Sequence, residues 1–438
     1  MPPAAPKFLE PLLARPVAVL GDGVSGRGVL ALLARIGAEA TVYDARGRDL
    51  TPDAAGLHSL AVFSPGFPPD HPWLARVRSA GGMDLGELDF ASLFWRGRVV
   101  AVTGTNGKTT LVEFLTHALL AAGHAARAAG NIGTPLSRVA AESDGAPGEI
   151  AVCEVSSFQA ETLRFFRAEA LLWTNFAEDH LERHGTLEAY FRAKCALASR
   201  AARMFAGSSV RGAGPGLQGI LEKTGTKISW VETSRLPPDP LLAGTAFAED
   251  PQRENFALAA AWWEAAKLDS ATLGRAARSF RLGRHRLARV AEVAGVGYWN
   301  DSKATNFHAV EAALRRFASP VLLIAGGRPK GGDLAGFVAR IAPKVRHAFL
   351  IGETGPALAA AFSAAGVPHT PSGTLGEAVR GAAGTAREGE QVLLSPGFAS
   401  FDQFRGYADR GEQFEAIVGA LGNAASRAGP IPKTVQTG

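Results

Sequence analysis

Cysteine is scarce in this 438-residue chain, which carries only Cys153 and Cys195. Two thiols that far apart in sequence build neither a disulfide framework nor a metal cluster, and they fit a reducing, cytoplasmic setting. Long apolar runs are also missing. Nowhere does a stretch of about 18 apolar residues occur, and the first residues, MPPAAPKFLEPLLARP, lack the apolar centre of a secretory signal. No membrane insertion is expected. Runs of Lys or Arg are absent too, and the net charge of +5 is modest for this length, so nucleic acid is not an indicated partner. No motif repeats along the chain, which excludes a solenoid.

What is present is a globular composition. Hydrophobic residues make up 47% and charged residues 20%, enough for sizeable cores. Taking ~150 residues per domain as a soft guide, the length allows about three domains. The most informative stretch is Val99–Thr110, VVAVTGTNGKTT. Val99, Val100, Ala101 and Val102 suit a central parallel strand. The strand runs into Gly104-Thr105-Asn106-Gly107-Lys108-Thr109-Thr110, a variant of the phosphate loop with its two glycines closer together than usual. Glycines let backbone N–H groups close around phosphate oxygens, Lys108 supplies a charge for the β- and γ-phosphates, and Thr109 offers a hydroxyl to Mg²⁺. A helix over roughly 110–122 then points its positive end at the anion.

The stretch before this loop reads as a βαβ unit. Strand Val17–Leu20 enters Gly21-Asp22-Gly23-Val24-Ser25-Gly26, and strand Thr41–Tyr43 ends at Asp44-Ala45-Arg46. A glycine-rich first turn with an acid after the second strand occurs in dinucleotide-binding folds, although by itself it is also compatible with a tight turn that touches no ligand. Ser64-Pro65-Gly66 follows strand Leu60–Phe63 and adds backbone donors. Beyond the phosphate loop, Asn131 lies in a glycine-bounded turn. Glu154 ends the strand Glu149–Val155, where it would hold Mg²⁺ directly or through water, or else pair with an arginine. Strand Ala170–Asn175 delivers a polar turn ending in His180, read as a metal or phosphate ligand or else a surface histidine. On its pattern alone, Lys194 in the helix Thr186–Ser199 reads as a solvated lysine. Residues 203–249 carry few signals, and Val293–Asn300 reads as a single strand.

With these loops in view, the chain resembles the Mur ligase family along nearly its whole length. The resemblance is carried by TGTNGKTT, GNIGTPL, EVSSFQAETL, TNFAEDHLERHG with AYFRAK, His285-Arg286, NDSKATN, GGRPKGGD and LSPGFASFDQF, in that order. It implies an α/β protein of three domains: an N-terminal Rossmann-like domain (1–96), a central P-loop mononucleotide-binding ATPase domain (97–283) and a C-terminal Rossmann-like domain (284–438). The implied activity is ATP-dependent amide-bond synthesis through an acyl phosphate, adding glutamate, with the D-isomer expected, to UDP-N-acetylmuramoyl-L-alanine in peptidoglycan assembly. An L-glutamate-adding variant or another Mur or folylpolyglutamate-type ligase is the alternative. ATP and two Mg²⁺ ions are implied, as is a cytoplasmic monomer.

The resemblance also implies roles for single residues. Lys108, Glu154, His180 and Lys194 would be catalytic, with Thr109, Glu154, His180 and a Lys194 carbamylated by CO₂ around the metal. ATP would meet the loop Gly104–Thr110 together with Asn255, Arg286 and Asp301. The UDP substrate would lie against Gly21, Gly23, Val24, Ser25, Gly26, Asp44, Ala45, Arg46, Ser64, Pro65, Gly66, Asn131 and Ser157. Glutamate would meet Lys303, Thr305, Lys330, Ser400 and Tyr407. Gly397 and Phe398 stand where the family commonly has an Ala-Cys pair, Tyr407 where a phenylalanine is usual, and Ala45 where a hydroxyl residue often sits.

Overall fold

The computed structural model describes residues 5–146, 148–233 and 239–428. The chain divides into two compact units. One comprises Met1–Ala177, Thr186–Ala248 and Gln252–Phe280; the other comprises Glu178–Gly185, Glu249–Pro251 and Arg281–Gly438.

The first unit contains two parallel sheets. The smaller is built from β1 (Val17–Leu20), β2 (Ala40–Tyr43), β3 (Leu60–Phe63) and β4 (Met83–Gly86), in the spatial order β2-β1-β3-β4. The runs VAVL and LAVF are buried throughout, as parallel strands covered on both faces require. The larger sheet consists of β5 (Arg98–Thr103), β6 (Ala126–Gly130), β7 (Ile150–Glu154), β8 (Ala170–Trp173), β9 (Arg203–Gly207) and β10 (Lys227–Val231), in the order β10-β9-β8-β5-β7-β6. The phosphate-loop strand β5 thus lies inside the sheet, paired with β7 and β8. Strands β9 and β10 account for the stretch that gave few signals. Lys227–Val231 is a half-buried sheet edge, so its apolar pattern is weak.

These two sheets share one hydrophobic core. Val29 and Leu33 of the helix Val24–Ile36, Phe90 and Phe94, and Leu136 and Val139 of the helix Leu136–Glu142 all belong to the cluster that contains Ala101 and Cys153. The first two expected α/β modules therefore form one packed body. Both cysteines are free and buried, and burial pushes the Cys195 thiol up to about 12.

The second unit contains β11 (Ala288–Val293), β12 (Val296–Asn300), β13 (Val321–Gly326), β14 (Val345–Ile351), β15 (His369–Gly373) and β16 (Gln391–Leu394), in the order β11-β12-β16-β13-β14-β15. All neighbours are parallel except β11 and β12, which form a hairpin. The single strand expected over Val293–Asn300 is interrupted: Ala294 and Gly295 both take positive φ, 50° and 74°. Two consecutive residues of that kind make the tight turn whose twist matches an antiparallel pair. Core clusters cover the two faces of this sheet, one around Phe337, Leu358 and Phe362 and the other around Val379, Phe414 and Val418.

At the seam inside the first unit, a Cβ added to Gly28 would meet Ser137 Oγ at 2.5 Å and Pro135 Cγ at 2.8 Å. On helix propensity alone, Gly28→Ala would stabilise by up to about 1 kcal/mol. Overpacking of the seam instead predicts a loss of about 1–3 kcal/mol, read as a lower urea midpoint. A midpoint that rises would mean the two helices part without penalty.

Candidate functional site

In open parallel sheets ligands collect at the carboxyl ends of the strands, and both units place their polar loops there. In the larger sheet of the first unit, β5 delivers the phosphate loop, and the helix Lys108–Ala121 begins directly at Lys108. Gly104 has φ +148°, and a Cβ there would collide with the Thr174 hydroxyl, so only glycine lets the loop lie this close to the end of β8. Neighbours hold the loop in shape. Asn106 N donates to Asn175 Oδ1 at 2.8 Å, and Thr174 Oγ1 donates to the Asn106 carbonyl at 2.6 Å. Thr105 Oγ1 donates to the Ala177 carbonyl at 3.1 Å and lies 3.2 Å from the Tyr190 hydroxyl. Lys108 Nζ donates to the carbonyls of Gly104 and Thr105 at 3.0 and 2.8 Å.

Glu154, only 1% exposed, ends β7 beside this loop. Its Oε2 accepts from Thr109 Oγ1 at 2.7 Å and its Oε1 from Asn131 Nδ2 at 3.0 Å. The partners are thus a hydroxyl and an amide. The Asn131 backbone N–H also donates to the Glu154 carbonyl at 2.9 Å. Preceding it, Gly130 takes φ +106°, and a Cβ at that position would strike the same carbonyl.

Lys194 overturns the solvated reading that its pattern alone suggested. It is 1% exposed, with Nζ donating to the Gly104 carbonyl at 2.9 Å and lying 4.8 Å from the centre of the Tyr190 ring. Asn255, on the helix Gln252–Ala265, is buried against the loop: a Cβ on Gly107 would come within 2.7 Å of its Oδ1. Lys108, Thr109, Glu154, Lys194, Asn131 and Asn255 are therefore brought together. Thr174, Asn175 and Tyr190 support the loop without having been singled out in the sequence. Thr174 and Asn175 lie in the polar turn after β8, which drew attention only to its far end at His180, and Tyr190 lies in the helix Leu187–Ala198, within the AYFRAK segment.

The smaller sheet gathers a second set at its own strand ends. Gly23 precedes the helix Val24–Ile36. Asp44 accepts from Asp22 N at 3.1 Å and from Arg46 N at 3.0 Å, and these backbone bonds lower its pKa. The glycine turn and the strand-end acid expected to meet one ligand are thus joined directly. Ser64 lies against Gly21, with a hydroxyl that is buried and without a partner. In EVSSFQ, Ser156 caps the helix Ser157–Ala160 through a reciprocal bond pair with Gln159, and Ser157 is buried.

In the second unit, a small open cleft is lined by Asp179, His180, Thr305, Lys330, Gly397 and Phe398 among others. Asp179 accepts from Asn306 Nδ2 at 2.9 Å and lies 3.9 Å from Lys330 Nζ. His180 takes φ +55°, and burial lowers its pKa, opposed by nearby Asp179. Lys303 Nζ donates to the Tyr407 hydroxyl at 3.2 Å and stands over its ring. Ser400 is buried two residues beyond Phe398. Asp301 accepts from Leu287 N at 3.1 Å and from Ser395 Oγ at 2.8 Å, and Arg286 is near enough to act on it electrostatically.

Among the described residues no three His, Cys, Asp or Glu side chains form a ready-made metal cluster. The chemistry of Thr109 and Glu154 nevertheless fits Mg²⁺, a hard cation that takes one or two protein oxygens and fills its remaining positions with water and substrate phosphate.

Known proteins resemble this chain in sequence and in fold. A family model described as the Mur ligase middle domain matches residues 102–206, and one described as the Mur ligase glutamate ligase domain matches residues 285–398. The chain is 35% identical over 436 residues to the UDP-N-acetylmuramoylalanine--D-glutamate ligase of Solibacter usitatus, covering 92% of this chain and 97% of that one. It is 37% identical to the ligase of the same description from Desulfotalea psychrophila, covering 94% and 97%. Among solved structures, a pseudomurein peptide ligase type C from Methanothermus fervidus aligns with a TM-score of 0.60 at 15% identity, covering 93% of this chain and 100% of that one. A UDP-N-acetylmuramate-alanine ligase from Thermotoga maritima gives 0.58 at 15% identity, covering 93% and 99%. At that identity, structural likeness speaks for the fold alone.

Burial raises the Asp301 carboxyl to about 7. Between about pH 4, where an exposed aspartate titrates, and this raised value, the folded chain holds a proton that the unfolded chain has released. Stability from this group is therefore full below that window and lost as pH rises through it. Asp301→Asn is expected to remove from the melting-temperature profile a downward contribution on the order of a few kcal/mol over this window. The variant's profile then rises more, or falls less, with pH than that of the unaltered protein, in which His308, lowered by desolvation to about 4, acts in the opposite direction. Equal slopes in both proteins would remove Asp301 as the source.

Proposed function

The chain belongs to the Mur ligase family, and from that premise we propose how its residues divide the work of one reaction. The reaction is the ATP-dependent addition of D-glutamate to UDP-N-acetylmuramoyl-L-alanine in peptidoglycan synthesis. The alanine carboxylate attacks the γ-phosphate of ATP, forming an acyl phosphate and releasing ADP. The glutamate amine then attacks the acyl carbon, and the tetrahedral species collapses to the amide and phosphate.

Both steps crowd negative charge into a small volume, so the protein's task is to neutralise that charge and align the reacting atoms. Lys108 and the backbone N–H groups of the loop Gly104–Thr110 bind the β- and γ-phosphates. Asn255 contacts the nucleotide from the side of Gly107, and Arg286 and Asp301 are read as nucleotide-binding residues. Thr109 and Glu154 would hold Mg²⁺, with a carbamylated Lys194 as a further donor, and His180 is read separately as a metal ligand; the ion, when bound, supplies positive charge that screens the phosphates from the incoming carboxylate. Carbamylation replaces an ammonium with an anion. A buried lysine whose amine already lies at the phosphate loop is suited to that exchange.

The strand ends of the smaller sheet take the uridine diphosphate. Gly21–Gly26 and Ser64–Gly66 offer backbone donors, Asp44–Arg46 the edge beside them, and Asn131 and Ser157 the muramoyl side. Lys330, Thr305 and Ser400 receive the glutamate carboxylates, with Lys303 and Tyr407 alongside. The observation that carries the reading is the convergence of Thr109, Glu154 and Lys194 on the loop of Lys108.

Phosphate release is expected only when UDP-N-acetylmuramoyl-L-alanine, D-glutamate, ATP and Mg²⁺ are all present. An assay offering D-glutamate, L-glutamate, D-aspartate and meso-diaminopimelate in parallel checks this, and turnover with diaminopimelate but not glutamate would contradict it. Lys194→Ala is expected to lower turnover by about 10²–10³-fold and to recover part of it with added formate or acetate, which replace the carbamate charge. Absence of recovery by any short carboxylic acid would leave the lysine unmodified.

A further inference from the structure

Arg410 is the one arginine among the largest fully buried side chains of the described residues, at 0% exposure. It sits in the first turn of the helix Tyr407–Ala428, where its sequence context reads as an ordinary helix arginine. Its guanidinium makes no salt bridge within 4 Å among the ion pairs of the described residues. It is spent on two loops instead. Nε donates to Ser302 Oγ at 3.0 Å and Nη2 to the Ser302 carbonyl at 2.9 Å. Nη1 and Nη2 both donate to the Phe398 carbonyl, at 3.3 and 3.2 Å.

Those two loops frame the cleft described above. Ser302 immediately precedes Lys303 and is followed by Thr305; Phe398 and Gly397 line the cleft themselves. A third loop joins them. Gly397 N donates to the Ala304 carbonyl at 2.9 Å and Arg328 N to the Ala399 carbonyl at 2.8 Å, tying in the segment that carries Lys330. A Cβ on Gly327 would come within 3.3 Å of Arg410 Nη1, so that segment passes directly over the guanidinium.

Burying a cation is a poor way to gain stability, because desolvation offsets much of what its bonds return, and an apolar side chain of similar size often serves as well. What a guanidinium offers is direction: a planar group with five donors in fixed geometry, able to hold two chains in one register. Burial lowers its pKa to about 10, which leaves it charged near neutrality. We propose that Arg410 is a positioning residue for the amino-acid substrate: it locks the Ser302 and Phe398 loops together and so sets the distance across the cleft between Thr305, Lys330 and the Gly397-Phe398 wall. The proposal rests on the reading of this cleft as the glutamate subsite.

Steady-state kinetics on full-length Arg410→Lys, Arg410→Met, Ser302→Ala and Lys330→Ala tests it. Arg410→Lys and Arg410→Met are expected to raise KM for D-glutamate on the order of 10–100-fold, with little change in KM for ATP or the UDP substrate. Ser302→Ala leaves Arg410 in place and removes both the acceptor for its Nε and the bond that the Ser302 hydroxyl donates to the Tyr407 carbonyl; it should raise the same KM to a smaller extent, and it tests the tie between these loops if the Arg410 variants do not fold. Guanidinium ion added to Arg410→Ala should lower the glutamate KM again. If Lys330→Ala raises the glutamate KM while the Arg410 and Ser302 variants do not, the positioning role is wrong and the subsite reading stands. If Lys330→Ala leaves it unchanged as well, the subsite reading itself fails. An equal rise in all three KM values would make Arg410 a structural residue only.

Discussion

The carboxylate of Glu154 is the point on which the proposed chemistry of the first unit depends. It ends a buried parallel strand, and its two oxygens are shared between the Thr109 hydroxyl of the phosphate loop and the Asn131 amide of the next loop. A buried carboxyl group needs such partners, because leaving its oxygens unsatisfied costs more than the bonds return. The two donors therefore fix where the phosphate loop and the Asn131 turn stand relative to one another. They also leave hard oxygen atoms where a divalent cation bound to nucleotide phosphate would look for them. Lys194, drawn in by the Gly104 carbonyl, completes a ring of charge around one loop.

Position in the sheet makes this arrangement rigid. β5 is flanked on both sides, so the strand end from which the loop springs is held by two ladders. The smaller sheet gains its rigidity from sharing a core with the larger one through Phe90, Phe94 and the helix Leu136–Glu142. On the proposed reading, a substrate held at the ends of β1, β2 and β3 is thereby referred to the same body as the phosphate loop. The second unit uses a different device. Its loops are stitched by backbone bonds and by one buried guanidinium, as befits a cleft whose walls come from three separate strand ends.

Much of this was legible in the sequence, and the reason is physical. Short β-branched runs such as VVAV and LAVF are strands in almost any context, and a lysine-threonine pair after glycines at a strand end has few other uses. Glu154 was legible for the same reason, being a charge at the end of an otherwise apolar strand. Lys194 was not, because one lysine on a helix carries no mark of where it points; only its resemblance to a family motif singled it out. Arg410 was invisible for the same cause. The break at Ala294-Gly295 escaped because the residues on either side are good strand formers, and backbone dihedrals rather than composition decide such a turn. That the first two modules share a core could not be read from local patterns either, since it depends on contacts between residues far apart in the chain.

The most direct measurement of the central claim compares the affinity of ADP with and without Mg²⁺, by calorimetry, in the unaltered protein and in Glu154→Gln. Glutamine preserves the shape and one oxygen acceptor while removing the charge. Mg²⁺ is expected to tighten ADP binding in the unaltered protein, and this enhancement to disappear in Glu154→Gln while metal-free ADP still binds. An enhancement that survives the substitution undiminished would contradict the claim.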